Sequence, residues 1–401
     1  MSQYKQKNPD DVVIVAAYRT ALTKGGRGSF KDVGSDYILK ELTEQFIKKT
    51  KLDPSLVQDV AIGNVLHSRG GDFEHRAALM AAGIPYTSGF VAINRFCSSG
   101  LIAVSQIANK IKTGELECGL AGGVESMSKD YGPNAIIKYD PAYADHPEFQ
   151  KNQIPMGITN ENVCDKFGIP REAQDRFAAS SFNKAEAAQN SGKFKDEILP
   201  IEAFIEDDEE EDEDGEPIEK KITVTEDEGI RKGVTPEKLA KIKPAFKKDG
   251  STSAGNASQV TDGAALVLLM RRSFAEKHGY PVLAKYVGCW VAGVPPEIMG
   301  IGPAVAIPKA LQKTGLKVDD ISVFEINEAF AGQCLYSIQS VGIPEEKVNL
   351  NGGAIALGHP MGATGARQYA TILPLLKPGE IGLTSMCIGT GMGAASIIVR
   401  E

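Results

Sequence analysis

An α/β architecture built from two similarly organised halves is what this sequence predicts, on three observations. Short apolar runs of strand length alternate with longer stretches whose apolar residues recur at helical spacing. The segment Phe90 to Gly114, FVAINRFCSSGLIAVSQIANKIKTG, passes from such a run through a turn into such a helix. Much later, Val348 to Leu376, VNLNGGAIALGHPMGATGARQYATILPLL, repeats that layout through a glycine-rich turn.

The elements follow in order. Residues 1 to 10 are polar and loose, and Val12 to Ala16 is a first buried strand. After the turn-rich TKGGRGSF, the spacing of Ile38, Leu42, Phe46 and Ile47 predicts a helix. Val57 to Val65 reads as the next strand and runs into the polar segment HSRGGDFEHR, where His67, Arg69, His75 and Arg76 are expected on a loop surface. Phe90 to Ile93 is a strand, Leu101 to Ile111 a helix with Leu101, Val104, Ile107, Ala108 and Ile111 on its apolar face, and Glu117 to Ala121 a strand.

Between Ser128 and Asp249 helical pieces alternate with polar loops, which reads as an inserted domain. Its run EDDEEEDED, nine acidic residues from Glu206 to Asp214, is expected to be a solvated surface loop, because like charges at that density repel and resist packing. A calcium site is disfavoured, since calcium loops interleave their carboxylates with a glycine and end in a spaced Glu. Ala264 to Met270 returns as a strand, and a second α/β section runs from about Val282 to the end, with a helix beginning near Gly362 and a strand from Ile381 to Ser385.

Composition narrows the function. The chain has 401 residues, 42% of them hydrophobic, enough for two or three domains. A formal charge of -8 gives no footprint for nucleic acid, though it leaves room for a local basic pocket. No apolar run approaches a membrane span. Six widely separated cysteines without a CxxC pair fit free thiols better than a disulfide framework or a zinc site. MSQYKQKNPDD is neither a secretory signal nor an arginine-rich presequence, and the end IIVRE carries no Ser-Lys-Leu address.

Chemistry concentrates in four stretches: NRFCSSG (94 to 100), NEAF (327 to 330), GGAIALGHPMGATG (352 to 365) and CIGTGMG (387 to 393). Cys97 falls on the turn into its helix, where unpaired amides and the helix dipole favour a thiolate. Ser98, Ser99 and Gly100 can cap that end of the helix and allow close approach to the backbone. By itself Cys97 reads more readily as a buried structural cysteine, the commoner kind. If the two halves pack face to face, however, His359 comes near Cys97 where two helices begin, and a Cys and His pair for covalent catalysis becomes the better account.

These four segments, in this order, resemble the thiolase family, and the resemblance runs from about Asp11 to Val399. The CSSG and GTG details resemble its degradative 3-ketoacyl-CoA branch more than its synthetic branch. The resemblance implies a thiolase fold, a duplicated five-layered α-β-α-β-α core, with residues 1–127 and 255–281 as the N-terminal half, 128–254 as a loop domain covering the CoA site and 282–401 as the C-terminal half.

The implied reaction is cleavage of 3-ketoacyl-CoA by CoA, in fatty-acid β-oxidation. Cys97 would hold the acyl group as a thioester and His359 would take its proton. Cys387 would protonate the departing enolate, a role suited to a thiol with an ordinary pKa of about 8.5. Asn327 would orient a water beside His359 Nε2, and the amides of Cys97 and Gly389 would form a second oxyanion hole. With these come Ser258 as a contact of the CoA pantetheine and Met156 as a lining of the acyl pocket. Glu328 and Phe330 are second to these, and Cys118, Cys164, Cys289 and Cys334 are expected as small buried hydrophobes. CoA is a substrate, no other cofactor or metal is implied, and a homodimer is expected. The alternative from the same fold is an acetoacetyl-CoA thiolase, an acetyl-CoA C-acetyltransferase acting in condensation. The resemblance points to the peroxisome; because no Arg/Lys-Leu, five residues, His/Gln-Leu pattern precedes Asp11, the cytosol is the alternative.

Overall fold

The computed structural model describes residues 2–132, 139–211 and 217–401. Strand β1 (Val12–Arg19) is followed by helix α1 (Ser35–Thr50), β2 (Asp59–Gly63), α2 (Asp72–Ala81), β3 (Gly89–Ile93), α3 (Ser99–Thr113), β4 (Cys118–Glu125) and, after a long excursion, β5 (Thr261–Arg271). The second section repeats the pattern as β6 (Ala284–Gly293), α4 (Gly302–Thr314), β7 (Val323–Ile326), α5 (Ala331–Val341), α6 (Met361–Ile372), β8 (Ile381–Ile388) and β9 (Met392–Arg400).

The pairing repeats as well. In the first half β1 pairs antiparallel with β5, β5 antiparallel with β4, β4 parallel with β2, and β2 parallel with β3. In the second, β6 pairs antiparallel with β9, β9 antiparallel with β8, β8 parallel with β7, and Phe324 of β7 makes a parallel bridge to Val348 where β3 has its counterpart. The halves join edge to edge only at Val13 with Lys285 and Ile14 with Ala284. The parallel connections each need a crossover helix, so α3 and α6 occupy equivalent places.

Strand alternation feeds two separate cores. Leu266, Leu268 and Met270 of β5 face one, while Ala265, Val267 and Leu269 face the other, with Leu101, Val104, Ala366, Tyr369 and Met386. That second core lies between the sheets, because α3 touches β4, β2 and β6 while α6 touches β4, β5 and β8. With α1 and α2 outside one sheet and α4 and α5 outside the other, the layers are α-β-α-β-α.

The two inner helices meet through glycines. A Cβ on Gly100 would stand 2.6 Å from the Gly362 carbonyl oxygen, and one on Gly365 would collide with Leu101. Only glycine lets the backbones approach this closely.

The excursion carries helices Met156–Phe167 and Arg171–Asn190 and the hairpin of Ile201–Glu211 with Pro217–Val224. It is tied to the core by Arg19, fully buried, whose guanidinium grips Glu197 at 2.6 Å and Asp227 at 2.6 and 2.8 Å. A second tie joins Ser181 Oγ to Glu328 at 2.6 Å, and a third sets the Asn160 carboxamide oxygen on the Gln333 amide at 3.0 Å.

Two expectations need correction. The acidic run is not wholly a loop: Glu206 to Glu211 continue a strand, and 212–214 lie outside the described residues. The facing strand places Lys221 and Lys220 opposite Phe204 and Ile205, just before the run, and Lys221 pairs with Glu202; Glu206 itself faces Glu219, so the strand is continued by backbone pairing from its apolar start at Ile201. The hairpin rests on α1, with Phe204 edge-on to Tyr37. His75, in turn, is not on a loop surface but fully buried on α2, with Nε2 2.9 Å from Ser35 Oγ. Arg76 lies on the same helix and donates to the Ser88 and Tyr86 carbonyls, while His67 stays half-buried beside Asp130 at 3.0 Å.

Candidate active site

Cys97 is positioned by a turn that its neighbours close. Asn94 Oδ1 accepts the Phe96 amide at 3.0 Å, and Phe96 takes a left-handed φ of 47°. Ser99 Oγ accepts the Arg95 amide at 2.9 Å and donates to the Phe96 carbonyl at 2.6 Å. Ser98 sits at the N-cap position but makes no cap; its hydroxyl donates to the Arg95 carbonyl at 3.0 Å. The serines thus fasten the turn rather than cap the helix. Gly100 leaves room for the start of α6.

The Cys97 thiol is half-buried, and its sulfur accepts from the amides of Gly389 and of Cys97 itself. These donors favour the thiolate, yet burial outweighs them and, with the Glu125 carboxyl adding to it, pushes the thiol up to about 11. The amides thus act in the direction expected of a helix start, but burial acts more strongly against them. Glu125, fully buried at the end of β4, accepts the Gly362 amide at 2.7 Å and the Leu66 amide at 3.0 Å, and burial raises it to about 7.

His359 precedes α6 as Cys97 precedes α3. Its amide reaches the Gln259 carbonyl and Thr261 Oγ1, both at 3.2 Å. Its ring is buried, with Nδ1 2.6 Å from Thr364 Oγ1 and Nε2 3.3 Å from Asn327 Nδ2. Burial, and then the nearby Arg367 guanidinium, hold the imidazole down at about 3, so it is neutral throughout the physiological range. Asn327 follows β7, its amide bonded to the Ser385 carbonyl at 2.8 Å, and its Oδ1 is buried without a partner.

Cys387 lies near the end of β8, fully buried, and burial followed by the neighbouring Cys97 raises its thiol well above the ordinary value. It shares a small apolar cluster with Ala257, Met299, Ala329 and Phe330. Gly389, two residues on, packs against the Phe96 ring.

Ser258 is half-buried, and its amide bonds to the Ala329 carbonyl at 2.9 Å, which sets it against the NEAF segment. Met156 is exposed at a helix start, next to Gly157, whose missing Cβ makes room for the Phe246 ring; Phe246 stands edge-on to Phe330. Glu328 is buried, accepting from Ser181, Asn349 at 2.7 Å and the Ile355 amide at 3.2 Å, so it braces the loops around His359. Cys118, Cys164 and Cys334 are buried and Cys289 is half-buried; none forms a disulfide. Among the described residues no group of His, Cys, Asp or Glu could hold a metal ion, and no helix is long and apolar enough to cross a membrane.

Sequence reasoning did not single out Thr364, Glu125 or Met299. Thr364 could have been found from its place in the first turn of the helix that follows His359; Glu125 and Met299 carried no such signal, since only the packing of distant segments brings them in.

Comparison with known proteins agrees with this geometry. The family model for the thiolase N-terminal domain matches residues 12–273, and that for the thiolase C-terminal domain matches 280–400. A peroxisomal 3-ketoacyl-CoA thiolase B of Candida tropicalis is 66% identical over 397 residues, 99% of this chain and 95% of the relative. The crystal structure of the dimeric peroxisomal thiolase of Saccharomyces cerevisiae superimposes with a TM-score of 0.92 at 53% identity, covering 100% of both chains. Another structure of the 3-ketoacyl-CoA thiolase from that yeast, described as five-layered and constructed from two core domains of identical topology, gives a TM-score of 0.82 at 49% identity over 99% of each chain. Matched along nearly its whole length, and folded as two copies of one topology whose inner helices meet at Gly100 and Gly362, the chain belongs to the thiolase family.

Proposed function

We propose that the chain cleaves 3-ketoacyl-CoA with CoA, giving acetyl-CoA and an acyl-CoA shortened by the carbons of the acetyl unit. The observation that carries this reading is the meeting of the two inner helices at Gly100 and Gly362, with Cys97 just before the start of one and His359 just before the start of the other.

In the acylation step the Cys97 thiol gives its proton to His359 Nε2 as the sulfur attacks the 3-keto carbon. The bond between the α and β carbons breaks, and its electron pair leaves as the acetyl-CoA enolate. Cys387 protonates that enolate, and the acyl chain stays on Cys97 as a thioester. CoA then gives its thiol proton to the Cys387 thiolate and attacks the thioester; Cys97 leaves and recovers its proton from His359. All protons are returned.

Two oxyanions need stabilising. Asn327, through a water that it orients, and protonated His359 serve the thioester oxygen of the departing acetyl-CoA enolate, and the amides of Cys97 and Gly389 serve the oxygen on the carbon that Cys97 attacks, each donor contributing about 3–4 kcal/mol. With both thiols and the imidazole neutral in the resting site, the ionic forms arise only with substrate in place. That protects the thiols from adventitious reaction.

Ser258 and Met156 fit as contacts of the pantetheine and the acyl chain, and Ala257, Met299 and Phe330 as apolar wall. Residues 128–254 serve as the cover of the CoA site, between an N-terminal half of 1–127 with 255–281 and a C-terminal half of 282–401. The names of the relatives place them in peroxisomes and describe one as a dimer; we read this chain as a peroxisomal homodimer of fatty-acid β-oxidation.

The test is thiolysis of acetoacetyl-CoA and 3-ketohexadecanoyl-CoA by wild type and by Cys97→Ala. Wild type is expected to cleave the long substrate, and the variant to lose at least about 1000-fold in kcat on both. Activity confined to the four-carbon substrate favours the condensing acetyltransferase instead, and undiminished activity of the variant removes Cys97 from the mechanism.

A further inference from the structure

We propose that Thr364 is a positioning residue that fixes His359 in one neutral tautomer, with hydrogen on Nδ1 and a bare lone pair on Nε2. The functional half of this inference rests on the reading of His359 as the proton acceptor; the tautomer itself does not.

The assignment follows from what each partner can donate. Thr364 Oγ1 lies 2.9 Å from the Pro360 carbonyl oxygen, an acceptor that the Ala363 and Thr364 amides also reach at 2.9 Å, and we assign the one hydroxyl proton to it. The same oxygen lies 2.6 Å from His359 Nδ1 and is left with lone pairs to offer. Nδ1 must then be the donor. Burial keeps the ring neutral, so the hydrogen on Nδ1 leaves Nε2 bare.

The opposite side of the ring is consistent with this. Asn327 Nδ2, a donor, faces Nε2 at 3.3 Å. A hydrogen on Nε2 would put two donors against each other unless the Asn327 amide turned over and the Thr364 hydroxyl abandoned Pro360. The two rearrangements would have to occur together. Thr364 is itself firmly held, since it lies fully buried in the first turn of α6, the turn whose Gly362 amide is anchored to Glu125 at 2.7 Å.

A bare Nε2 is what an acceptor for the Cys97 proton needs, and the wrong tautomer could not serve. Thr364 thus sets the direction of proton transfer without touching substrate. Its methyl group and its hydroxyl can be separated by substitution: Thr364→Val keeps the shape and removes the hydroxyl, and Thr364→Ser keeps the hydroxyl.

The experiment is nitrogen NMR of histidine side chains in the full chain, which has five histidines, with His359 assigned by His359→Ala. The wild type is expected to show His359 as a single neutral tautomer protonated at Nδ1, unchanged between pH 6 and 8. A proton on Nε2 in the wild type overturns the proposal, and needs no variant to do so. Thr364→Val is expected to give mixed tautomers and a kcat lower by about 100-fold with little change in KM, and Thr364→Ser to recover to within a few fold. A Thr364→Val enzyme with the wild-type tautomer and kcat also overturns it. Undiminished thiolysis by His359→Ala would instead remove the functional half and the proton-acceptor reading with it, while the NMR result would still decide the tautomer.

Discussion

Cys97 shows how burial and hydrogen bonding compete at one atom. Two amides donate to its sulfur, yet the thiol is pushed up to about 11 because the site is shielded from water. A reactive cysteine here is a matter of timing rather than of standing charge. The consequence is measurable by carbamidomethylation: below its pKa, the fraction of thiolate grows tenfold per pH unit. The alkylation rate of Cys97, read by peptide mapping, is expected to rise about 100-fold from pH 7 to pH 9. Since His359 is held down at about 3, no step should appear near pH 6.5. A rate that levels off below pH 8 would show a thiolate already formed. At this scale the sequence was legible where a motif names its residue, as with Cys97, Asn327, His359 and Cys387. It was silent where a role depends on an environment: the depth of burial at Cys97 and His75 is set by segments far away in the chain.

Strand, turn and helix around Cys97 were legible because each carries its own local signal: an apolar run, an Asn and Ser turn, and a helical stripe. The glycines of that element have a purpose that only the partner element reveals. Gly100 faces the carbonyl of Gly362 at a hypothetical 2.6 Å, so α3 and α6 bring their starts, and with them Cys97 and His359, to one place. Gly100→Ala should force the two helices apart, with a loss of about 1–3 kcal/mol from overpacking and a larger loss in thiolysis than in stability alone. Thermal unfolding and kcat measured on the same preparation check this; an alanine variant with wild-type kcat would mean that the close approach does not position the site. The acidic hairpin was the element that local reasoning misplaced. Its charges read as a loop because the pairing of Ile201 to Asp207 with Ile218 to Val224, which carries the strand into the run, is not visible in the run itself.

The whole molecule is one topology used twice, each half delivering a crossover helix to the shared middle layer. Duplication was legible in layout, from two strand, glycine-rich turn and helix sequences, while the edge-to-edge strand pairing of the halves at Val13 with Lys285 and Ile14 with Ala284 was not. Nor was the way in which the inserted segment is fastened: Arg19, Glu197 and Asp227 are scattered over the chain, and a buried ion pair needs all its partners in place. This arrangement makes a single claim about what the molecule is for, namely that an acyl chain passes through Cys97 on its way to CoA. Mass spectrometry of the intact protein mixed with 3-ketohexadecanoyl-CoA in the absence of CoA tests that claim most directly. The account predicts a myristoyl adduct on Cys97 that disappears when CoA is added; turnover without an adduct, or an adduct carried by another residue, would contradict it.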